Sequence, residues 1–156
     1  MRIGVDLGGT KIEGVLISDV GEVEDKIRRD TPADNYDSTL DALCSLIEEL
    51  QTFDKTPLSV GIGTPGTLSM PGGIMKNCNS VCLNDRALKK DLEQRLGYEI
   101  RLENDANCFA LSEAHYGAGK DSSTVFGVII GTGTGGGIVI NRKLLKIGRA
   151  SCRERV

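Results

Sequence analysis

The chain has 156 residues, of which 39% are apolar and 26% charged, with a formal net charge of −3. This length suits one domain or one and a fraction, and the composition is ordinary for a soluble globular protein. The small acidic excess offers no basic surface for nucleic acid or for an anionic membrane. No stretch approaches the roughly 20 apolar residues that span a bilayer, and Asp6 stands where a signal peptide needs an apolar run. We therefore expect a cytoplasmic protein without nucleic-acid or membrane partners.

Hydrophobic patterning predicts alternating strands and helices, which indicates an α/β layered fold. Strands are predicted at Arg2–Leu7, Ile12–Ile17, Glu22–Arg29, Leu58–Gly63, Ile100–Leu102, Val125–Ile130 and Ile138–Ile140, and helices at Ser38–Phe53, Ala87–Leu96 and Ala106–Tyr116. The segment Thr64–Asp85 is rich in Gly, Pro and Asn and is predicted to form loops or a small hairpin. A glycine break at Gly117–Gly119 suggests an N-terminal α/β lobe at 1–118 and the start of a second lobe at 119–146.

Residues 147–156 read IGRASCRERV, an arginine-rich segment with neither strand alternation nor helical periodicity. The segment closely resembles the in-frame translation of a sequencing-library adapter, so we expect a non-native tail. A genuine basic C-terminal tail is the alternative. The five cysteines are odd in number and lack CxxC spacing, which favours reduced thiols over a disulfide framework or a zinc site within this chain.

The first group of candidate binding residues lies between the first two predicted strands, at Asp6, Gly8, Gly9, Thr10 and Lys11. Glycines at such a turn let backbone N–H groups approach a phosphate, Thr10 adds a hydroxyl, and Lys11 adds a cation. Asp6 would hold Mg²⁺ through its water shell. The alternative is a simple Gly-Gly hairpin with a capping aspartate. A strand and not a helix follows, which excludes the GxxxxGK[ST] phosphate loop.

A second candidate phosphate loop contains Gly131, Thr132, Gly133, Thr134 and Gly135. The run satisfies GxGxxG, but a strand follows where a dinucleotide-binding fingerprint requires a helix. Two strand–Gly/Thr loop–strand units in one chain suggest two hairpins that hold one polyphosphate. A flexible linker is the alternative for the second run.

Asp105 is predicted between a strand and a helix, in the segment Glu103–Asn107. A carboxylate there is either a helix N-cap or a rigidly held group that accepts a proton during phosphoryl transfer, and spacing alone leaves both open. Cys108 is expected to be a small core residue. Side chains and turns that would contact sugar hydroxyls, or simply form turns, lie at Gly63, Pro65, Gly66, Asn77, Asn79 and Asn104.

Together these motifs resemble the ROK family of bacterial repressors, open-reading-frame proteins and sugar kinases, over Arg2 to about Lys146. The resemblance implies the actin-like ATPase (ribonuclease H-like) fold and an ATP- and Mg²⁺-dependent hexose kinase, with Asp105 as catalytic base and sugar contacts from Asn104 and Asp105. Lys76–Ser80 with Leu83–Asn84, and also Thr124–Gly133, look most like the fructokinase/mannokinase branch, whereas Phe109–Ala114 is also similar to N-acetylglucosamine kinases. Fructose or mannose is favoured, with N-acetylglucosamine or glucose as alternatives.

The family's later motifs, which contact sugar, ligate zinc and hold adenosine, are absent from the chain. We therefore expect an N-terminal fragment that is inactive alone, with structural zinc and a homodimer only in the full-length enzyme. Two other functions are considered. A sugar-sensing transcriptional regulator of the same family would need a helix-turn-helix before Asp6, where only five residues stand. An actin-like ATPase without a sugar substrate would not need the Asn104–Asp105 pair.

Overall fold

The computed structural model describes residues 1–32, 34–54, 56–69, 72–130 and 134–146, so the predicted non-native tail lies outside the described residues. Its strands are β1 Arg2–Leu7, β2 Lys11–Ile17, β3 Val23–Asp30, β4 Ser59–Thr64, β5 Thr67–Leu68, β6 Met75–Lys76, β7 Arg101–Asn104, β8 Thr124–Ile130, β9 Thr134–Ile140 and β10 Lys143–Leu144. Its helices are α1 Tyr36–Gln51, α2 Leu88–Leu96 and α3 Asp105–His115, and a 3₁₀ turn covers Val81–Leu83. The predicted order of helices and strands is confirmed.

The chain divides into two compact units, Met1–Glu103 and Asn104–Val156. The first unit carries a five-stranded sheet in the order β3-β2-β1-β4-β7, in which β1 pairs antiparallel with β2 and parallel with β4. It also carries the small β5–β6 hairpin. The second unit contains α3 and a three-stranded antiparallel sheet in the order β10-β9-β8. A lobe boundary at 118 stays a prediction, and the contacts group α3 with β8 and β9.

The core of the first unit lies between α1 and one face of the sheet. Strand residues alternate between faces, so Ile3, Val5 and Leu7 of β1 all point into this core. Helix α1 begins at the cap Asn35, whose side-chain oxygen accepts a 2.9 Å hydrogen bond from the Ser38 N–H. Its apolar face is fully buried, with side chains at Leu43, Leu46, Ile47 and Leu50. The periodicity of α1 therefore matches the single face that the sheet covers.

The approach of α1 to the sheet is closest at Gly14 of β2. A Cβ on Gly14 would lie 2.2 Å from Leu46 Cδ2 and 2.9 Å from Leu50 Cδ1, both well inside contact distance. Glycine at this position therefore lets the two leucines pack directly on the strand backbone. Interiors are packed too tightly to absorb such an overlap without moving the helix.

Helix α2 ends at Gly97, which adopts the left-handed conformation (φ 80°) that glycine accepts without strain. The loop after it is fixed by Glu93, whose Oε1 accepts from the Ile100 N–H at 3.1 Å and from Lys89 Nζ at 3.1 Å. The backbone hydrogen bond is the main reason that the pKa of Glu93 lies below its ordinary value.

None of the helices in the described ranges has the length and apolar character needed to cross a membrane.

We predict that Gly14→Ala lowers the free energy of unfolding by about 1–3 kcal/mol, because the added methyl group overlaps Leu46 and Leu50. Urea denaturation with a common slope measures the change. Gly61→Ala is the matched control, since Gly61 is also a strand glycine and nothing lies within 4 Å of its Cβ position. The close-packing explanation would be wrong if both variants lost the same stability.

Candidate functional site

The turn between β1 and β2 is short and internally bonded. The Gly8 N–H donates to the Lys11 carbonyl oxygen at 2.9 Å, and a Cβ on Gly8 would lie 2.9 Å from that same oxygen. Any larger residue at position 8 would therefore open the turn. This turn contains the predicted phosphate-binding residues Gly8, Gly9 and Thr10, and its tightness fixes the backbone that would meet a ligand.

Thr31, a residue that the sequence did not single out, ties this turn to the end of β3. Its hydroxyl donates to the Gly8 carbonyl oxygen at 2.8 Å, and its N–H donates to the Thr10 carbonyl oxygen at 2.9 Å. The register explains the position, since Lys11 pairs with Asp30 and Thr31 follows directly. The position of Thr31 can be inferred only from the pairing register of β2 and β3. Thr31 therefore becomes a positioning residue for the turn.

Asp6 lies in β1 and Lys11 begins β2, so these two predicted phosphate- and Mg²⁺-binding residues flank the turn. Asp6 is exposed on the sheet face opposite Val5 and Leu7, and its neighbours across the strands are Glu13 and Gly63. Carboxylate oxygens on such a face are the ligands that Mg²⁺ prefers.

Lys11 forms an ion pair with Asp30, and this hydrogen bond and charge hold the pKa of the Asp30 carboxyl below its ordinary value. Both side chains are largely exposed. Exposed pairs of this kind contribute little to stability, so a phosphate can replace Asp30 as the partner of Lys11 at small cost.

The predicted sugar-contacting turn follows β4 at the same edge of the sheet. Because β1 and β4 are parallel with Asp6 opposite Gly63, the turns that follow both strands leave from one edge. Gly66 is buried, and a Cβ there would lie 2.3 Å from Cys78 Sγ and 2.7 Å from the Lys76 carbonyl oxygen. Packing alone therefore explains glycine at this position. Sugar contacts by Gly63, Pro65 and Gly66 stay a prediction.

The loop that carries Asn79 is pinned by the side chain of Asn84. Its amide oxygen accepts from the Cys78 N–H at 2.9 Å, and its amide nitrogen donates to the Cys78 carbonyl oxygen at 3.2 Å. Asn79 is exposed, and Asn77 adopts a left-handed backbone (φ 58°) that asparagine tolerates. The loop is therefore held in one conformation from within, with Asn79 open to a ligand.

The hydrogen bonds at the start of α3 bear on the N-cap role that was left open for Asp105. The N-cap of α3 is Asn104, whose side-chain oxygen accepts from the Ala106 N–H at 3.1 Å. Asp105 is the first helical residue, and its Oδ1 accepts from the same N–H at 2.8 Å. The carboxylate is half-buried at the N-terminus of the helix. The N-cap position therefore belongs to Asn104 and not to Asp105, and the role of Asp105 as catalytic base stays a prediction.

Of the second glycine-rich run, Gly131, Thr132 and Gly133 lie outside the described residues. Thr134 and Gly135 belong to β9, where they pair with Ile130 and Ile129. The prediction that this strand begins at Ile138 is wrong, because the glycines at 135–137 continue the ladder. Their role as phosphate ligands stays a prediction.

The glycines of β8 and β9 let α3 lie directly on the sheet of the second unit. A Cβ on Gly137 would lie 2.7 Å from the Ala106 carbonyl oxygen and 2.9 Å from Ala110 Cβ, and one on Gly127 would lie 2.8 Å from Ala110 Cβ. A Cβ on Gly135 would lie 3.0 Å from Ala106 Cβ. The first turn of α3, which carries Asp105, is therefore fixed by backbone contact with glycine strands.

The mixed α/β architecture is the actin-like ATPase fold, as in the solved structures to which the chain is similar. The chain belongs to the ROK family, whose pattern matches residues 2–151. It is 42% identical over 144 residues to an N-acetyl-D-glucosamine kinase of Mannheimia succiniciproducens, a match that covers 92% of this chain and 47% of the relative. It is 41% identical over 143 residues to an N-acetyl-D-glucosamine kinase of Escherichia coli O127:H6, with the same coverage.

Among solved structures, the chain is similar to a ROK family glucokinase from Streptomyces griseus in complex with glucose and AMPPNP. The TM-score is 0.83 at 32% identity, over 98% of this chain and 48% of that one. The chain therefore spans about half the length of the curated relatives it matches.

We predict that Gly137→Ala lowers the melting temperature by several degrees, since pushing α3 away from β9 costs about 1–3 kcal/mol. Differential scanning calorimetry measures the shift. Gly136→Ala is the control. The atoms nearest to its Cβ would be in the exposed ring of Phe126, at 3.0 Å, and a carbonyl oxygen at 3.6 Å, and that ring can turn aside. Equal shifts in the two variants would contradict this account of α3.

Proposed function

We propose that the full-length protein is an ATP-dependent hexose kinase in which Asp105 is the catalytic base. The observation that carries the proposal is that Asn104 and Asp105 occupy different positions at the start of α3. Asn104 caps the helix, and the adjacent Asp105 carboxylate bonds only the Ala106 N–H among the described residues. A rigid carboxylate of this kind can orient a hydroxyl and accept its proton. The kinase names of the matched relatives support the same activity.

In the proposed reaction, Asp105 accepts the proton of a hexose hydroxyl as its oxygen attacks the γ-phosphorus of ATP and ADP leaves. The backbone N–H groups and the Thr10 hydroxyl of the β1–β2 turn bind phosphate oxygens, and Lys11 exchanges Asp30 for a phosphate. Asp6 would hold Mg²⁺ through its water shell, and the bound ion would supply positive charge for the phosphate oxygens. Gly131–Gly135 is proposed as the second phosphate-binding segment. Such transfer depends on positioning and charge stabilisation more than on covalent chemistry.

The identity of the hexose has two sources of support. The segment Lys76–Ser80 with Leu83–Asn84 favours fructose or mannose, and this segment forms the loop pinned by Asn84. The matched curated relatives are N-acetyl-D-glucosamine kinases, and the Streptomyces griseus glucokinase was solved with glucose. We propose fructose or mannose, with sugar contacts from Gly63, Pro65, Gly66, Asn79 and Asn104. N-acetylglucosamine is the second candidate.

Four further features of the full-length protein are proposed from the sequence and its resemblance to the ROK family. We propose a lobe boundary at 118, a structural zinc ion, a homodimer and a cytoplasmic location. We also propose that residues 1–156 are inactive alone. Metal analysis and size-exclusion chromatography of the full-length protein test the zinc and the dimer.

We predict that Asp105→Asn lowers kcat of the full-length protein by at least about 100-fold and leaves the KM for ATP within about threefold, because the amide cannot accept the proton. A coupled ADP-release assay measures both constants. Asn107→Ala, two residues further along the same helix, is the control for local disturbance. Near-normal turnover of Asp105→Asn would overturn the assignment.

We predict that the full-length protein releases ADP fastest with fructose or mannose in a panel that also contains glucose and N-acetylglucosamine. The ratio of kcat/KM values identifies the substrate. A higher value for N-acetylglucosamine would reject fructose and mannose and keep the kinase. ADP release that no hexose accelerates would indicate an actin-like ATPase, and hexose binding without turnover would indicate a sugar-sensing regulator.

A further inference from the structure

The hydroxyl of Ser80 stands out because it is buried and bonds no group in the part of the chain that the structure describes. Ser80 precedes the 3₁₀ turn Val81–Leu83, where a serine side chain would ordinarily accept from a backbone N–H of the turn. Here the side chain makes no such cap, and only its carbonyl oxygen accepts, from the Leu83 N–H at 3.0 Å. A buried hydroxyl without a partner is unfavourable in the unliganded protein, which points to a partner supplied by a ligand.

The position of the Ser80 hydroxyl indicates which chemical group of a ligand would bond it. Ser80 Oγ lies 3.7 Å from the position that a Cβ on Gly9 would occupy, so it stands beside the β1–β2 turn within the first unit. Gly9 is exposed, and Lys11 two residues further along carries the cation of the turn. A hydroxyl donor beside the exposed backbone of Gly9, in a turn that also carries Lys11, suits an anionic oxygen better than a neutral one.

The backbone that carries Ser80 is held from two sides. Asn84 bonds both the N–H and the carbonyl oxygen of Cys78, and Gly66 packs against Cys78 Sγ. The Ser80 side chain therefore projects from a fixed loop, and its hydroxyl need not be ordered when a ligand binds. A group fixed in this way loses little entropy on forming a hydrogen bond.

We propose that Ser80 is a further substrate-contacting residue, whose hydroxyl donates a hydrogen bond to a phosphoryl oxygen of the nucleotide at the Gly8–Gly9 turn. The inference rests on the proposed kinase function and deepens it. Ser80 complements Thr10 and Lys11 from a loop distant in sequence. A hydrogen bond to a charged oxygen is stronger than one between neutral groups, so its loss has a measurable effect on nucleotide binding.

The test compares Ser80→Ala, Ser80→Thr and Ser59→Ala in the full-length protein. Binding of Mg²⁺·AMPPNP is measured by calorimetry, and ADP release with a saturating hexose is measured in parallel. We expect Ser80→Ala to weaken AMPPNP binding or to lower kcat by about 10-fold or more, because a charge-assisted hydrogen bond is lost. Its melting temperature without ligand should stay constant or rise, since an unbonded buried hydroxyl is removed. Ser80→Thr, which keeps the hydroxyl, should recover part of the loss, and Ser59→Ala, at the exposed start of β4, should behave as wild type.

Each other outcome overturns the inference. A lower melting temperature with unchanged AMPPNP affinity and kcat would make Ser80 a structural residue. A raised KM for the hexose alone would make it a sugar contact. The proposed function has a separate readout. Wild-type protein that binds AMPPNP without hexose-dependent ADP release would reject the kinase while the binding comparison still judges Ser80. Wild-type protein that does not bind AMPPNP would reject both.

Discussion

Both units depend on helices that rest directly on strand backbone, a contact that only glycine permits. In the first unit the contact is Gly14 under Leu46 and Leu50 of α1, and in the second it is Gly127 and Gly137 under Ala110 of α3. Close contact of this kind maximises dispersion attraction and leaves the helix little freedom to slide. The strand glycines therefore determine where each helix lies, and with it the residues at the helix ends.

This constraint links the fold to the candidate chemistry most directly at α3. The side chain of Asp105 is short, so the position of its carboxylate follows from the backbone of the first turn of α3. That turn is held by Gly135 and Gly137 against Ala106, while Asn104 supplies the cap. A catalytic base must stay within hydrogen-bond reach of its proton, so a rigid helix start is a physical requirement of the proposed reaction.

Most helices and strands could be predicted from the sequence because periodic apolar residues mark them, as in β1 and α1. The start of β9 could not, since Gly135, Gly136 and Gly137 carry no hydrophobic pattern and reveal their strand only by pairing with β8. The expected burial of Cys108 is also wrong, because Cys108 is exposed. The buried face of α3 consists of Ala106, Ala110 and Ala114, since a surface lined by glycine accepts only methyl-sized side chains.

The sequence names the candidate site residues but does not show how the fold positions them. Strand register, which the sequence does not display, brings Thr31 to the β1–β2 turn and sets Asp6 beside Gly63. Likewise, two adjacent polar residues at a strand–helix junction give no signal for which one caps the helix. Backbone conformation separates them, because Asn104 is extended (φ −65°, ψ 142°) and Asp105 is the first helical residue.

The glycines of the candidate binding motifs differ in their steric surroundings. Cβ atoms at Gly8, Gly66 and Gly135 would come within 3.0 Å of a carbonyl oxygen, a thiol or a methyl group, so packing alone demands glycine there. Gly9 has no such restriction, because its Cβ would meet only Ser80 Oγ at 3.7 Å, an ordinary contact, and its φ lies outside the left-handed region. Neither sterics nor backbone strain excludes a side chain at Gly9. Glycine at this position leaves the backbone bare, so that the proposed phosphate could approach it closely.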